Sequence, residues 1–212
     1  MTVLPMFPLG SVLVPGMVLP LHVFEPRYRR LVADCLEGDR QFGVVLIERG
    51  SEVGGGDVRT DVGTVAAIVE AAGFPDGRWA VGSVGTRRVR VLRWLDDDPY
   101  PRAEVEDWPD PDPGPGLAEA TAAMVADLRR VLALSAELGR EVAPATVELA
   151  EDPVVAGYHA VAVAPLGPSD RQRLLAADDA EARCALLCLL LAEEAEVLAA
   201  ELALGDGPDE TP

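Results

Sequence analysis

Apolar and polar positions follow one rhythm in the first half of the chain and another in the second. Residues 41–49 (QFGVVLIER) and 62–73 (VGTVAAIVEAAG) are short apolar runs rich in β-branched residues, which predicts strands. Residues 79–84 and 87–94 follow as two further strand candidates, and 100–108 as a last one. In the 87–94 segment Val89 and Val91 share one face while Arg88 and Arg90 take the other, a period of two. Pro75-Asp76-Gly77 lies between two of these runs and predicts a hairpin turn. One helix interrupts the strands: Tyr28, Leu31, Val32, Cys35 and Leu36 repeat at helical spacing between Pro26, suited to a first helical position, and Gly38, suited to a C-terminal cap.

The rhythm changes at 109–116 (PDPDPGPG), whose prolines and glycines exclude helix and strand alike and predict a stiff acidic linker. Beyond it, residues 117–140 place Met124, Leu128, Val131, Leu132 and Leu138 on one stripe, and 154–164 form a short apolar helix ended by Pro165. Ser169 is expected to cap a helix running to Leu175, and Asp179 a long final helix reaching about Leu204. The centre of that last helix (CALLCLLLA) is apolar all round and predicts the buried middle of a bundle. The expected organisation is therefore α+β with segregated halves: a β-barrel subdomain over 1–108, a linker over 109–116, a helical bundle over 117–204 and a frayed tail over 205–212.

Composition supports a packed protein: 49% of the 212 residues are hydrophobic and 25% charged, near the globular norm. The longest apolar run, 184–192, is far shorter than the roughly 18 residues a membrane span needs. The opening MTVLPMFPLG has no basic region ahead of its apolar stretch, so a cytoplasmic location without a membrane is expected. The formal net charge of −18 repels phosphate backbones, which argues against a nucleic-acid partner. The charge is uneven: residues 1–112 carry 12 arginines against 18 acids, and residues 113–212 carry 6 against 18.

No lysine occurs anywhere in the chain, which removes the phosphate-loop lysine and any Ser-Lys dyad. Gly50 to Gly56 is glycine-rich, but another strand candidate follows it rather than a helix, so it predicts a loop and not a phosphate cradle. Gly82-Ser83-Val84-Gly85 falls short of a nucleophile elbow because residue 81 is valine. His22 and Glu25 would offer two metal ligands without a third; Cys184 and Cys188, four apart, have no further Cys or nearby His to complete a site. Three cysteines in no framework predict reduced thiols. No catalytic residue, cofactor site or metal site is assigned. Two alternatives stay open on these residues: a hydrolase using a pair of carboxylates, and an RNA-binding barrel, which would need a basic face from Arg87, Arg88, Arg90 and Arg93.

A resemblance goes further. Leu4-Pro5-Met6-Phe7-Pro8-Leu9, then Val14-Pro15-Gly16 through Pro20-Leu21-His22-Val23-Phe24-Glu25-Pro26-Arg27-Tyr28, resembles the signature of Lon protease amino-terminal domains, most of all their stand-alone branch. Val62-Gly63-Thr64, Pro75-Asp76-Gly77, Gly85-Thr86-Arg87-Arg88-Val89 and Tyr100-Pro101-Arg102 follow in the family's order, and Tyr158, Pro165-Leu166 and 170–175 resemble its helical part. The resemblance implies a pseudouridine-synthase-associated-like barrel followed by a helical bundle. It also implies a protein- or peptide-binding module for unfolded or client polypeptides, without catalysis, ATP use or cofactors, beside a separate protease.

The prolines of the signature (Pro5, Pro8, Pro15, Pro20) predict an edge strand and a surface crossing, with Phe7, Leu9, Leu19 and Leu21 plugging the barrel. His22, Glu25 and Arg27 are read as a polar cluster at the helix start that also offers ligand contacts. Phe24 and Tyr28 are the expected anchors for an apolar client segment, if exposed in a groove.

Overall fold

A computed structural model describes residues 2–49 and 58–205; the glycine-rich 50–56 loop and nearly all of the tail lie outside the described residues. Six strands and five helices follow in the order β1 (Thr2–Leu9), β2 (Val18–Val23), α1 (Pro26–Glu37), β3 (Gln41–Arg49), β4 (Val58–Gly73), β5 (Trp79–Leu95), β6 (Arg102–Asp107), α2 (Leu117–Glu137), α3 (Pro153–Val163), α4 (Pro168–Leu175) and α5 (Ala180–Gly205). The chain divides into two compact units: Met1–Pro109 with Arg171–Ala176, and Asp110–Asp170 with Ala177–Pro212. The end of α4 thus clusters with the strands rather than with the helices that flank it in sequence.

In the first unit the strand order is β2-β5-β4-β3-β1-β6, and β5 also pairs with β6, which closes the sheet into a barrel. One edge of β5 carries β4 along its length. Its other edge carries β2 over Trp79 to Val84 and β6 over Val89 to Leu95. Register shifts at Val65/Ala66, Ile68/Glu70 and Val91/Arg93 supply the local bends that barrel closure requires. Neighbouring residues of one strand feed two separate cores: Phe7, Val44 and Ala66 join one with Tyr28, Leu31 and Val32 of α1, while Met6, Val45 and Val65 join another with Val89, Ala103 and Val105.

The strands depart from the sequence pattern in three respects. The single strand β5 replaces the two pieces expected over 79–84 and 87–94, because Gly85 continues the ladder; a Cβ there would sit 2.5 Å from the Val14 carbonyl oxygen, so glycine marks a close crossing and not a turn. β1 is an inner strand rather than an edge. It pairs with β6 through Thr2–Pro5 and with β3 through Met6–Leu9, so each half has a ladder on one side only and tolerates a proline. β2, with Pro20, is the edge strand. Arg88 does oppose Val89, but not toward solvent: it is 2% exposed, its guanidinium lies 4.3 Å from the Trp108 ring centroid, and it donates to the Leu175 carbonyl at 2.9 Å.

Gly63 sits opposite Val45, and a Cβ there would lie 2.2 Å from the Val44 carbonyl oxygen. Since backbone and not a flexible side chain stands in the way, Gly63→Ala is expected to destabilise the barrel by about 1–3 kcal/mol. Thermal unfolding checks this; an unchanged midpoint would mean that β3 yields at no cost.

The second unit holds α2, α3, α5 and the segment before α2. Asp152 caps α3 through the Val154 and Val155 N–H groups, and Asp179 accepts from Ala182 N–H at 2.7 Å near the start of α5. Ser169 is no cap, because α4 already begins at Pro168. Nor is α5 buried all round: Leu187 and Leu191 are fully buried, whereas Leu189 is 64% exposed. The Pro/Asp/Gly segment is not wholly solvated either. Asp110 pairs with fully buried Arg183, and Gly114 N–H donates to Glu181 at 2.7 Å. Among the described residues no helix is long and apolar enough to cross a membrane.

Candidate functional site

The register of β2 and β4 on β5 sets Val23 and Gly73 on either side of Trp79. The residues that follow each strand, Phe24 and Phe74, therefore leave the sheet at the same end of the barrel. Both are exposed, Phe24 to 58% and Phe74 to 45%. The Trp79 indole is half-buried and lies over Gly73, where a Cβ would meet Cζ3 at 3.4 Å. With Trp79 the two phenylalanines line one cavity, so the exposed apolar side chains are gathered rather than scattered.

Three cavities adjoin along this surface. One of about 230 Å³ is floored by Phe7, Leu9 and Tyr28 and walled by Pro20 to Glu25. A second of about 190 Å³ shares His22, Val23 and Phe24 with the first and adds Phe74, Arg78 and Trp79. A third of about 510 Å³ shares Phe74, Arg78 and Trp79 with the second and extends over Arg29, Arg30 and Ala33 of α1. Their shared residues set them side by side as a cleft surface lined by aromatic residues, with arginines at one end, all within the first unit.

The five candidate residues fall on or beside this cleft in different roles. Phe24 is exposed, and His22 is exposed beside it. Tyr28 is not an exposed anchor: it is 4% exposed and stacked on Phe7 with ring centroids 4.1 Å apart, so it is floor. Helical spacing turns it inward with Leu31 and Val32. Glu25 occupies the N-cap of α1 but makes no side-chain capping bond; it accepts from Arg27 at 3.1 Å, and Arg27 lies 4.5 Å from the Tyr28 ring centroid. The polar cluster therefore buttresses Tyr28 and leaves Glu25 engaged by a cation rather than open to a metal. Phe74, Trp79, Arg29 and Arg78 join the cleft without having been singled out by sequence. The local clue was an aromatic directly before a Pro-Asp-Gly turn.

Other chemistry finds little footing. Burial pushes the Cys35 thiol up to about 12 and the Cys188 thiol up to about 11, and it raises Cys184 as well, so these thiols stay protonated at neutral pH and are poor nucleophiles. The carboxyls with resolved departures all move down: Asp34 through its bond from Arg30, Asp76 through the Arg78 backbone N–H, and Glu104 through Arg93. None of these three is held protonated as a general acid would be. Among the described residues no group of three or more His, Cys, Asp or Glu is placed to hold a metal. The four arginines of the expected basic face do not act together: Arg87 pairs with Asp107 at 2.8 Å, Arg93 with Glu104 at 2.6 Å, Arg88 is buried, and Arg90 lies 3.6 Å from the Trp108 ring centroid.

Comparison with known proteins gives a consistent picture. Residues 3–193 match the model of the ATP-dependent protease La (LON) substrate-binding domain. Lon protease 2 of Herpetosiphon aurantiacus is 30% identical over 202 residues, and Lon protease 2 of Sorangium cellulosum 32% over 202. These alignments cover 93% and 92% of this chain but only 24% and 25% of the relatives, so the chain spans about a quarter of their length. A solved Lon N-terminal domain protein from Xanthomonas campestris superposes with a TM-score of 0.63 at 33% identity, covering 91% of this chain and 98% of that one. The N-terminal domain of Mycobacterium avium complex Lon protease shares the fold at a TM-score of 0.65 and 17% identity, over 91% of this chain and 99% of its own. The chain belongs to the Lon substrate-binding domain family.

Proposed function

We propose that this protein captures unfolded or client polypeptides in the cleft formed by Phe24, Phe74 and Trp79, without catalysis of its own, and presents them to a separate protease in the cytoplasm. The observation that carries this reading is the pair of exposed phenylalanines flanking a half-buried tryptophan at the head of three adjoining cavities. Aromatic side chains at the centre of a preformed concavity are the usual carriers of binding energy. An unfolded chain exposes the apolar residues such a cleft can cover, whereas a folded protein keeps most of them inside. The −18 charge and the engaged arginines of β5 weigh against RNA.

A labelled, permanently unfolded polypeptide titrated with the protein at moderate salt tests the reading by fluorescence anisotropy. Saturable binding of the unfolded chain, with none of a folded control, is expected. Absence of binding into the high micromolar range would defeat it.

A further inference from the structure

The arginine end of the cleft has a chemistry of its own. Arg29 is half-buried along the wall of the 510 Å³ cavity, and its guanidinium lies against the Cα of Gly77, where a Cβ would meet Nη2 at 1.8 Å. Gly77 has φ +82, so the turn that seats Arg29 is one that glycine supplies. The two neighbouring arginines are each matched to a carboxylate: Arg30 to Asp34 at 2.8 Å, and Arg78 to Asp76 at 2.7 Å. Arg29 has no carboxylate and no side-chain hydrogen bond among the described residues. No acidic residue lines this cavity. One uncompensated guanidinium thus stands beside the Phe74 and Trp79 wall of a protein whose net charge is −18.

We infer that Arg29 is a specificity site for an acidic side chain: the cleft takes an extended polypeptide segment in which an Asp or Glu directly flanks a large apolar residue. The apolar residue occupies the Phe24–Trp79–Phe74 wall and the carboxylate forms a paired bond with Arg29. A side chain fits better than the free carboxylate of a chain end. Chain-end capture relies on a nest of free backbone N–H groups, and the turn at this site spends its own: Phe74 N–H on Arg78 carbonyl, Gly77 N–H on Phe74 carbonyl, Arg78 N–H on the Asp76 carboxylate. The inference rests on the client-capture reading and adds the chemistry of the client.

The test uses the full chain and three labelled, unstructured peptides sharing one Phe-Leu anchor. One has Glu after the anchor and an amidated end, one has Gln and an amidated end, and one has Gln and a free terminal carboxylate. At low ionic strength the Glu peptide is expected to bind about tenfold tighter than its Gln partner, about 1.4 kcal/mol. The preference should shrink as salt screens it. Because the whole molecule repels acids, such a preference can only be local. Arg29→Gln should bring the Glu-to-Gln ratio to one or below, and Arg29→Lys should restore part of it. Equal binding of the Glu and Gln peptides overturns the inference and leaves client capture standing. A preference for the free terminal carboxylate overturns it in favour of chain ends, and self-association broken by Phe24→Ala overturns it in favour of a second copy. If neither the peptides nor an unfolded protein bind, both readings fall.

Discussion

Asp110→Ala is expected to lower the unfolding free energy of the helical unit by about 3–5 kcal/mol, a large share of what a domain has. Arg183 has no exposed surface, and its pairing carboxylate is Asp110, whose side chain is itself only 8% exposed. Tyr158 ties the pair together: its hydroxyl donates to Asp110 at 2.6 Å, accepts from Arg183 at 2.9 Å, and its ring centroid lies 3.9 Å from the guanidinium carbon. The Arg183 Nε and Nη1 groups already lack partners among the described residues, so little remains to compensate the charge once the carboxylate is gone. At about 2–4 °C per kcal/mol for a chain of this size, the midpoint should fall by roughly 10 °C. Far-UV circular dichroism follows the helices directly. The double variant Asp110→Ala/Arg183→Met should recover most of the loss, because removing both charges removes the penalty, and the methionine keeps the apolar stem that packs by Gly157. A cost under about 1 kcal/mol for Asp110→Ala would mean that water reaches Arg183 when the carboxylate leaves.

That pair also marks a boundary of what the sequence could tell. The sequence placed α1 between Pro26 and Gly38 because a proline start, a glycine stop and a helical apolar stripe all agree there. It placed the Pro75-Asp76-Gly77 hairpin for the same reason. It failed where a residue's role depends on a neighbour distant in the chain. Nothing local marks Arg88 or Arg183 as buried, yet Trp108 and Leu175 cover the first, and Asp110 with Tyr158 neutralises the second. Leu189 failed in the opposite direction: an apolar run carries no mark of which turn of the helix lies uncovered. The cleft shows both cases. Phe24 could be named from the family signature, and Tyr28, four residues on, could be named but not placed, because α1 turns it onto Phe7. Phe74 had only its place before the turn to mark it and Trp79 had nothing, since only the pairing of β2 and β4 along β5 brings them to Phe24.

The placement of those aromatics decides which variants are informative about binding. Phe24→Ala/Phe74→Ala should weaken binding of an unfolded polypeptide by at least about 30-fold, the 2 kcal/mol expected when anchors at the centre of an interface are truncated. The two effects need not add, since both side chains face the same cavity with Trp79 between them. Folding stability should hardly change, because each ring is about half exposed already and its removal opens no hole in the core. Tyr28→Ala is a poor probe by the same logic. It would unstack Phe7 and empty a site that is 4% exposed, costing about 3–5 kcal/mol of stability, so lost binding there would report unfolding. The informative comparison is therefore the double phenylalanine variant against Leu92→Ala, which removes an exposed apolar side chain from a part of β5 outside the three cavities. If both bind the unfolded chain as weakly as each other, the surface is generically adhesive and the cleft is not the site. If the double variant loses binding while Leu92→Ala and the unfolding midpoint stay put, the affinity resides in the aromatic wall.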